Sequence, residues 1–205
     1  MVSQTLLDVA IDQFGRHGFE GASTREIARA SGTAMSSITY HFGGKEGLYL
    51  AAADHIAAQI REMQAPAVAA AREAGQASRE AAVQALLDLL DSFAQMMLHP
   101  ETEAWSRFII REQQFPTEAF TRLFDGAMQG ILDIFVELIA RARPDLVRRE
   151  GIATGILLFG QAIALRSAHA AVCRALEIDH IDEASAALLR TRLRANAQCI
   201  LSETP

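Results

Sequence analysis

Apolar residues recur at three- and four-residue spacing along most of the chain, a period that predicts amphipathic helices rather than strands. The first stripe ends close to Gly15, and the nearby Gly18 is suited to the left-handed backbone conformation that closes a helix. The pattern therefore predicts a first helix that stops between Gly15 and Gly18. Its apolar residues are Leu6, Leu7, Ala10, Ile11 and Phe14.

Three further helices are predicted to start before residue 50, separated by tight turns that contain glycine. Ser23 and Glu26 have the spacing of a capping box and start a short helix that stops at Gly32. The next helix is predicted over 35–42, and the fourth begins at Lys45 after two glycines. The first three helices form a small tri-helical unit.

The rest of the chain predicts longer helices, separated by prolines because proline cannot continue a helix. We expect breaks at Pro66, Pro100, Pro116 and Pro144. A boundary inside the fourth helix is predicted to divide the chain into two domains, residues 1–47 and residues 48–205. The later helices are predicted near 78–98, 101–113, 117–142, 146–174 and 182–202.

Composition favours an all-α protein of the cytoplasm. Half of the 205 residues are hydrophobic and only 6% are aromatic, so a core can be buried and helix is favoured over sheet. Cys173 and Cys199 cannot form a disulfide framework and suit a reducing compartment. The uncharged stretch from Gly151 to Leu165 is shorter than the roughly 20 residues of a membrane span, and no signal-peptide pattern is present.

The polar residues between Thr24 and Lys45 indicate a helix-turn-helix motif, whose second helix enters the major groove while its first crosses the DNA backbone. In the second helix Ile38 and Phe42 are predicted to face inward, and hydroxyl groups and an imidazole face outward. Such groups can bind base edges and phosphates, and a helix start such as Thr24–Arg25 favours a phosphate. The outward-facing residues are Ser36, Ser37, Thr39, Tyr40 and His41.

The charge of this region leaves a second interpretation open. Residues 1–50 contain four Lys and Arg against five Asp and Glu, a net charge of −1, and the whole chain carries −6. A DNA-binding domain is ordinarily more basic. A polar helix face also occurs in any solvated bundle, so the alternative is a helical ligand-binding or scaffold protein that has lost DNA binding.

Two runs of residues indicate a known family. Residues 18–28 read Gly-Phe-Glu-Gly-Ala-Ser-Thr-Arg-Glu-Ile-Ala, residues 38–48 read Ile-Thr-Tyr-His-Phe-Gly-Gly-Lys-Glu-Gly-Leu, and Gly32 lies between them. This region resembles the DNA-binding domain of TetR-family repressors. The resemblance implies a ligand-responsive repressor that binds a palindromic operator as a homodimer. Its fold would be an N-terminal tri-helical helix-turn-helix domain fused to a helical ligand-binding and dimerisation domain.

By position, the resemblance implies two sets of DNA contacts. Thr39 stands where the family usually has tyrosine, and residues 1–5 contain no Lys or Arg, whereas the family commonly has a basic arm before its first helix. Contacts to the DNA backbone are implied for Thr24, Arg25, Tyr40, His41 and Lys45. Groove-facing positions are implied for Met35, Ser36, Ser37 and Thr39. The C-terminal domain is similar to a less characterised TetR subgroup through Ile109-Ile110-Arg111-Glu112, followed by Pro116 and Phe120.

Aromatic and methionine residues are concentrated between 93 and 135, and this cluster has two interpretations. Apolar residues at helical spacing ordinarily pack a core, but they also line cavities for largely apolar ligands. Arg111 is the polar candidate because a guanidinium binds an anionic group through two parallel hydrogen bonds, although it can equally pair with Glu112 or Glu118. The candidate inducer-binding residues are Phe93, Met97, Trp105, Phe108, Arg111, Phe124 and Met128.

The uncharged helix predicted over Gly151–Leu165 needs cover on most of its sides. Together with the alanine-rich last helix it would form half of a two-fold four-helix interface, whereas the alternative is a central helix of a monomer. The family resemblance favours the homodimer.

Enzymatic and metal sites find little support in the sequence. Glu177 and His180 supply one Glu-x-x-His motif, whereas a di-iron bundle uses two. The six histidines show no zinc-ligand spacing, and neither cysteine has a nucleophile signature around it. We therefore expect no enzyme, cofactor or metal, and we expect operator DNA, a small-molecule inducer and a second copy of the chain as partners.

Overall fold

Residues 4–202, which the computed structural model describes, form eleven α-helices, one 3-10 turn (Pro100–Thr102), one π-helical turn (Phe124–Met128) and no strand. The all-α fold predicted from the sequence is confirmed. The first four helices are α1 (Gln4–Gly21), α2 (Thr24–Ala30), α3 (Met35–Phe42) and α4 (Lys45–Ala74). The others are α5 (Arg79–Leu98), α6 (Glu103–Gln114), α7 (Glu118–Leu123), α8 (Gln129–Ala142), α9 (Arg148–Ser167), α10 (His169–Leu176) and α11 (Glu183–Ser202).

The described residues divide into two compact units. The first lies within Met1–Glu62 and Glu101–Gln129, and the second lies within Met63–Pro100 and Gly130–Pro205. The first unit therefore combines α1 to α3 and the first part of α4 with α6 and α7, which follow much later in the chain. These units are each made of two separate segments of the chain, so they do not test the predicted domain boundary between residues 47 and 48, which stays a prediction.

The core of the first unit forms where α1 packs against α6. Phe14 and Phe108 are completely buried there, together with the apolar residues that close the tri-helical unit. Those residues are Leu6, Ile11, Ile27, Ile38 and Leu48.

The core of the second unit is built on α5, whose apolar residues pack against α9 and α11. Phe93 stacks on Phe159 with ring centroids 3.9 Å apart, and Phe135 meets the same ring edge-on at 5.8 Å. α5 is the one continuous helix among residues 4–202 with the length and hydropathy of a membrane span, and half of its apolar stretch is buried in this core.

Two helix ends differ from the predictions. Gly18 has a positive φ of 73°, as its predicted role requires, but its ψ of 177° is extended rather than left-handed helical, and one more turn follows to Gly21. The break predicted at Pro66 is wrong, because Pro66 lies inside the 30-residue helix α4. A proline removes one helical hydrogen bond, and the alanine-rich sequence around Pro66 favours helix strongly enough to continue through it.

Two predicted long helices are each divided in the structure. The helix predicted over 117–142 consists of α7, the π-helical turn and α8. The helix predicted over 146–174 bends by 76° between α9 and α10, close to residue 168. No proline lies at either break and the apolar period continues across both, so the sequence predicted one continuous helix in each case.

Candidate nucleic-acid interface

The turn between α2 and α3 is held by local hydrogen bonds. The Ser31 hydroxyl donates to the carbonyl of Ile27 at 2.8 Å, and the backbone N–H of Thr33 donates to the carbonyl of Ala28 at 2.9 Å. At the start of α2 the Ser23 hydroxyl accepts a hydrogen bond from the backbone N–H of Glu26 at 3.4 Å, which is the Ser23 half of the predicted capping box. These bonds set the direction in which α3 leaves α2.

α3 has one buried side chain, Ile38, which attaches the helix to the core. Met35 is 46% exposed and Tyr40 is 85% exposed. Ser36, Thr39 and His41 are exposed, and Ser37 is half-buried. Among residues 4–202 the hydroxyls of Ser36, Ser37, Thr39 and Tyr40 have no hydrogen-bond partner, so they are free to bind another molecule.

Thr24 and Arg25 form the first two positions of α2, as the sequence predicts. Arg25 is exposed and has no ion-pair partner within the described chain, and Thr24 is half-buried. A helix start exposes backbone N–H groups and a positive dipole end, so this end of α2 suits a phosphate oxygen.

Lys45 begins α4 and its ammonium group already has two contacts. Nζ donates to the carbonyl of Glu20 at 3.1 Å and lies 4.9 Å from the centre of the Phe19 ring. These contacts hold the ammonium group at the start of α4, where the helix dipole alone would disfavour a cation. A carbonyl and a ring face do not neutralise it, so its positive charge stays available to a phosphate.

Gly47 permits the abrupt junction between α3 and α4. A Cβ atom at this position would lie 1.7 Å from the carbonyl oxygen of Phe42. Only glycine allows this close approach of the α3 and α4 backbones, so α4 can begin at Lys45, three residues after α3 ends. We call Thr24, Arg25, Met35, Ser36, Ser37, Thr39, Tyr40, His41 and Lys45 the recognition face.

A buried polar cluster behind the recognition face was not predicted from the sequence. The Tyr49 hydroxyl donates to Glu112 Oε1 at 2.5 Å, and Glu112 Oε2 accepts from the backbone N–H of Thr117 at 3.0 Å and from its hydroxyl at 2.9 Å. Glu112 is 1% exposed and Tyr49 is 5% exposed. The cluster therefore joins α4, α6 and the start of α7 in the first unit.

The Tyr49 ring lies in an aromatic environment. Its centroid is 4.8 Å from that of Phe14, 5.2 Å from Phe19 and 4.7 Å from Phe108. Burial, followed by the hydrogen bond to Glu112 and the negative charge of that carboxylate, raises the pKa of Tyr49 well above its usual value. The apolar spacing in the sequence indicated a core here, but the pairing of residues 63 positions apart has no local signal.

The candidate inducer-binding residues are distributed over both units. Phe93 and Met97 belong to the second unit, and the other five belong to the first. Phe93 and Phe108 are buried in their respective cores, whereas Met97, Trp105, Phe124 and Met128 are half-buried. Their assignment to a ligand stays a prediction.

Arg111 forms neither of the two ion pairs that the sequence allowed. Glu112 binds Tyr49 and Thr117, and Glu118 pairs with Arg122 at 2.8 Å. The guanidinium of Arg111 lies instead against Gly18 of α1. Candidate metal sites are equally absent from the described residues, where no group of three or more His, Cys, Asp or Glu side chains is placed to hold an ion.

A tri-helical unit in which α3 is polar and exposed, with a cation at each side, has the arrangement of a helix-turn-helix motif. Comparison with known proteins agrees. Residues 6–52 match the family described as bacterial regulatory proteins, tetR family, and residues 82–204 match the C-terminal domain of the HTH-type transcriptional dual regulator CecR. The chain belongs to the TetR family of transcriptional regulators. The relatives that it matches are transcriptional regulators and not enzymes.

Individual relatives support the same assignment. CecR of Shigella flexneri is 35% identical over 138 residues, which cover 66% of this chain and 61% of that regulator. The transcriptional repressor AcnR of Corynebacterium glutamicum is 42% identical over 60 residues, which cover 29% of this chain and 32% of AcnR. The chain thus spans less than two thirds of the length of either relative.

Among solved structures, the transcriptional regulator FadR of Bacillus subtilis in complex with stearoyl-CoA has the same fold. Its TM-score is 0.63 at 14% identity, and the match covers 98% of each chain. This likeness extends the agreement in fold to both the N-terminal and the C-terminal helices.

Proposed function

We propose that this regulator is a repressor that binds a palindromic operator as a homodimer, with α3 as the recognition helix. The observation that carries the proposal is the recognition face, where hydroxyl groups without a hydrogen-bond partner among residues 4–202 lie next to the cations Arg25 and Lys45. Buried polar groups are ordinarily satisfied within the protein, whereas the exposed groups of this face bind water and can exchange it for atoms of the DNA.

The recognition face contains two kinds of contact. Lys45, Arg25, Thr24, Tyr40 and His41 are assigned to phosphates of the DNA backbone, which fix the register of the protein on the duplex. Met35, Ser36, Ser37 and Thr39 are assigned to the major groove, where hydroxyl groups can bind base edges and apolar atoms can contact thymine methyl groups.

Homodimer formation is supported by exposed apolar side chains on α9 and α11. Ile156 is 53% exposed, Leu157 is 68% exposed and Leu188 is 52% exposed. Large apolar residues gathered on two helices of one unit favour burial against a second copy. A two-fold dimer presents its two recognition helices to two half-sites, which is why the operator is expected to be palindromic.

The inducer is proposed to be a small, largely apolar molecule that contacts Trp105, Phe124 and Met128. FadR, which has this fold, binds stearoyl-CoA, an acyl ligand with a long apolar chain. The inducer would release the operator because it binds more tightly to the conformation whose two recognition helices are wrongly spaced for DNA. A repressor acts where the DNA is, so we place the protein in the cytoplasm.

Selection of bound sequences from random duplexes tests operator binding, and sedimentation at micromolar concentration tests the dimer. We expect enrichment of an inverted repeat and a particle of twice the 22.3 kDa chain mass. Leu157→Arg should give the monomer, and the matched control Phe115→Arg, which changes an apolar residue that is 71% exposed in the first unit, should leave the dimer intact. A monomeric wild-type chain, or a duplex pool without enrichment, would instead favour the helical protein that has lost DNA binding.

Trp105 is the only tryptophan of the chain and reports on the inducer site. Ligands that release the selected duplex should change its fluorescence, and Trp105→Ala should weaken their binding. Unchanged emission together with unchanged affinity in Trp105→Ala would place the ligand elsewhere.

A further inference from the structure

A small groove between α1 and α6 of the first unit is lined by two arginines. Its volume is about 230 Å³, and its lining residues are Gly15, Arg107, Ile110, Arg111 and Gln114. Pockets for drug-sized ligands start at roughly 300 Å³. The groove therefore has room for a small ion or a single ligand group rather than for a whole nucleotide.

Arg111 lies in a notch that only glycine provides. A Cβ atom at Gly18 would lie 2.7 Å from Nη1 of Arg111, and the φ of +73° at Gly18 further disfavours any other residue. Within residues 4–202 the Arg111 guanidinium has no ion pair and no hydrogen bond, and its Nε is covered by protein and unpaired. A covered polar nitrogen without an acceptor is rare, because losing water without a replacement partner is costly.

The charges around the groove leave Arg111 uncompensated. Arg107 binds Asp12 at 2.8 Å and also pairs with Glu103, and Asp12 additionally accepts from Arg16 at 2.8 Å. Two arginines, Arg16 and Arg107, thus pair with the two carboxylates, and neither carboxylate pairs with Arg111. The carboxylate of Glu112, next in sequence, is used by Tyr49 and Thr117.

We propose that this groove binds a small oxyanion on Arg111: a phosphate, a sulfate or a carboxylate of similar size. The guanidinium donates two parallel N–H bonds to two oxygens of such an anion. The amide N–H of Gln114 is the neutral donor of the lining, and Arg107 adds positive charge. The site is built from α1 and α6 alone and does not require that the chain represses transcription.

Inorganic phosphate is the probe for this site, and the full chain without DNA is the sample. The unfolding midpoint is measured in rising sodium phosphate and in sodium chloride of equal ionic strength. The wild type should show a saturable rise in phosphate beyond the linear effect of an excluded salt. Arg111→Gln should lower the apparent affinity for phosphate at least tenfold, whereas Arg149→Gln, which removes an exposed arginine of the second unit, should leave it unchanged.

Two further variants keep the test decisive if Arg111→Gln does not fold. Arg111→Lys retains the charge but loses the planar fork, so it should bind phosphate several-fold more weakly. Gly18→Ala should displace the guanidinium and abolish the saturable rise. Equal phosphate affinity in the wild type and Arg111→Lys, or no saturable rise in the wild type, overturns the proposal.

The oxyanion could also belong to the DNA backbone, and the salt dependence of operator binding separates the two sources. If Arg111→Gln reduces the salt slope by about one per subunit while free phosphate does not bind, Arg111 contacts DNA and the proposal of a free-anion site is wrong.

Discussion

The two tyrosines of the chain, nine residues apart, are used in opposite ways. Tyr40 on the recognition face is 85% exposed, and its ring contacts only the ring of His41 among the aromatic side chains described. Tyr49 is 5% exposed, has three aromatic neighbours and donates its hydroxyl to a buried carboxylate. One side chain is left for a partner molecule, and the other is used to join helices of the first unit.

The difference between Tyr40 and Tyr49 indicates that DNA binding and folding stability depend on different residues of the first unit. Changes on the recognition face should alter DNA affinity and leave unfolding unaffected, because little apolar surface is buried there. Changes around Tyr49 should alter the free energy of unfolding first. The first two of the following predictions compare a substitution on one side of this division with a matched one on the other.

Truncation of a core ring should give the largest effect. Phe108→Ala removes a completely buried ring that contacts Tyr49, and we expect it to lower the free energy of unfolding by about 3–5 kcal/mol. Tyr40→Ala removes a ring of comparable size from the exposed face and should change it by no more than about 0.5 kcal/mol. Urea unfolding followed by circular dichroism measures both, and similar losses in the two variants would contradict the division.

Removal of one hydroxyl should give the next largest effect. Tyr49→Phe leaves Glu112 buried with Thr117 as its remaining donor, and we expect a loss of about 1–3 kcal/mol in unfolding free energy. Tyr40→Phe removes the same atom from the recognition face, where the hydroxyl has no hydrogen-bond partner in the described part of the chain. That variant should unfold like the wild type but bind the operator several-fold more weakly.

Alkaline pH should remove the contribution of the Tyr49 hydroxyl to the stability of the wild type. The pKa of Tyr49 is raised in the folded state above the value of 10.0 expected for the unfolded chain, so its contribution to stability is complete below pH 10 and is lost as the pH rises further. We expect the wild type to lose up to about 1.4 kcal/mol per pH unit above pH 10 from this group. Urea unfolding between pH 9 and about pH 11.5 should show a shallower decline in Tyr49→Phe, and parallel curves would contradict the assignment.

Within the recognition face, the smallest effects should separate phosphate from base contacts. Lys45→Ala should weaken all duplexes about equally and reduce the salt slope by about one per subunit. Thr39→Ala should relax the preference at one or two base pairs of each half-site by about 1 kcal/mol. Binding measured on the selected operator and on single base-pair variants distinguishes the two, and a uniform loss for Thr39→Ala would place that residue on the backbone.

Local features of the sequence predicted local features of the fold. Gly43 predicted the end of α3 at Phe42, because a helix stops where its next residue takes a positive φ. The positions of the polar residues in α3 predicted its exposed side, because the helical period assigns each residue to a face.

Features that depend on contacts between distant residues could not be predicted in this way. Tyr49 bonds to Glu112, and Arg111 packs against Gly18. Each contact joins helices that are far apart in sequence, and the apolar period does not indicate such partners. The π-helical turn at Phe124–Met128 also has no local signal. Within this turn the carbonyl of Gly126 accepts a hydrogen bond from Arg61. A Cβ atom at Gly126 would lie 2.8 Å from the Cβ of Ala57.

Lys45 is the only lysine of the chain, and this gives its position a chemical consequence. An amine-selective acylating reagent meets one side chain in the whole sequence, the one whose Nζ rests on the Glu20 carbonyl and the Phe19 ring. A single acetyl group there would cancel the positive charge next to the recognition helix without touching any other side-chain cation. Bound operator should slow that acylation, so the extent of labelling at one atom would measure how much of the protein is on DNA.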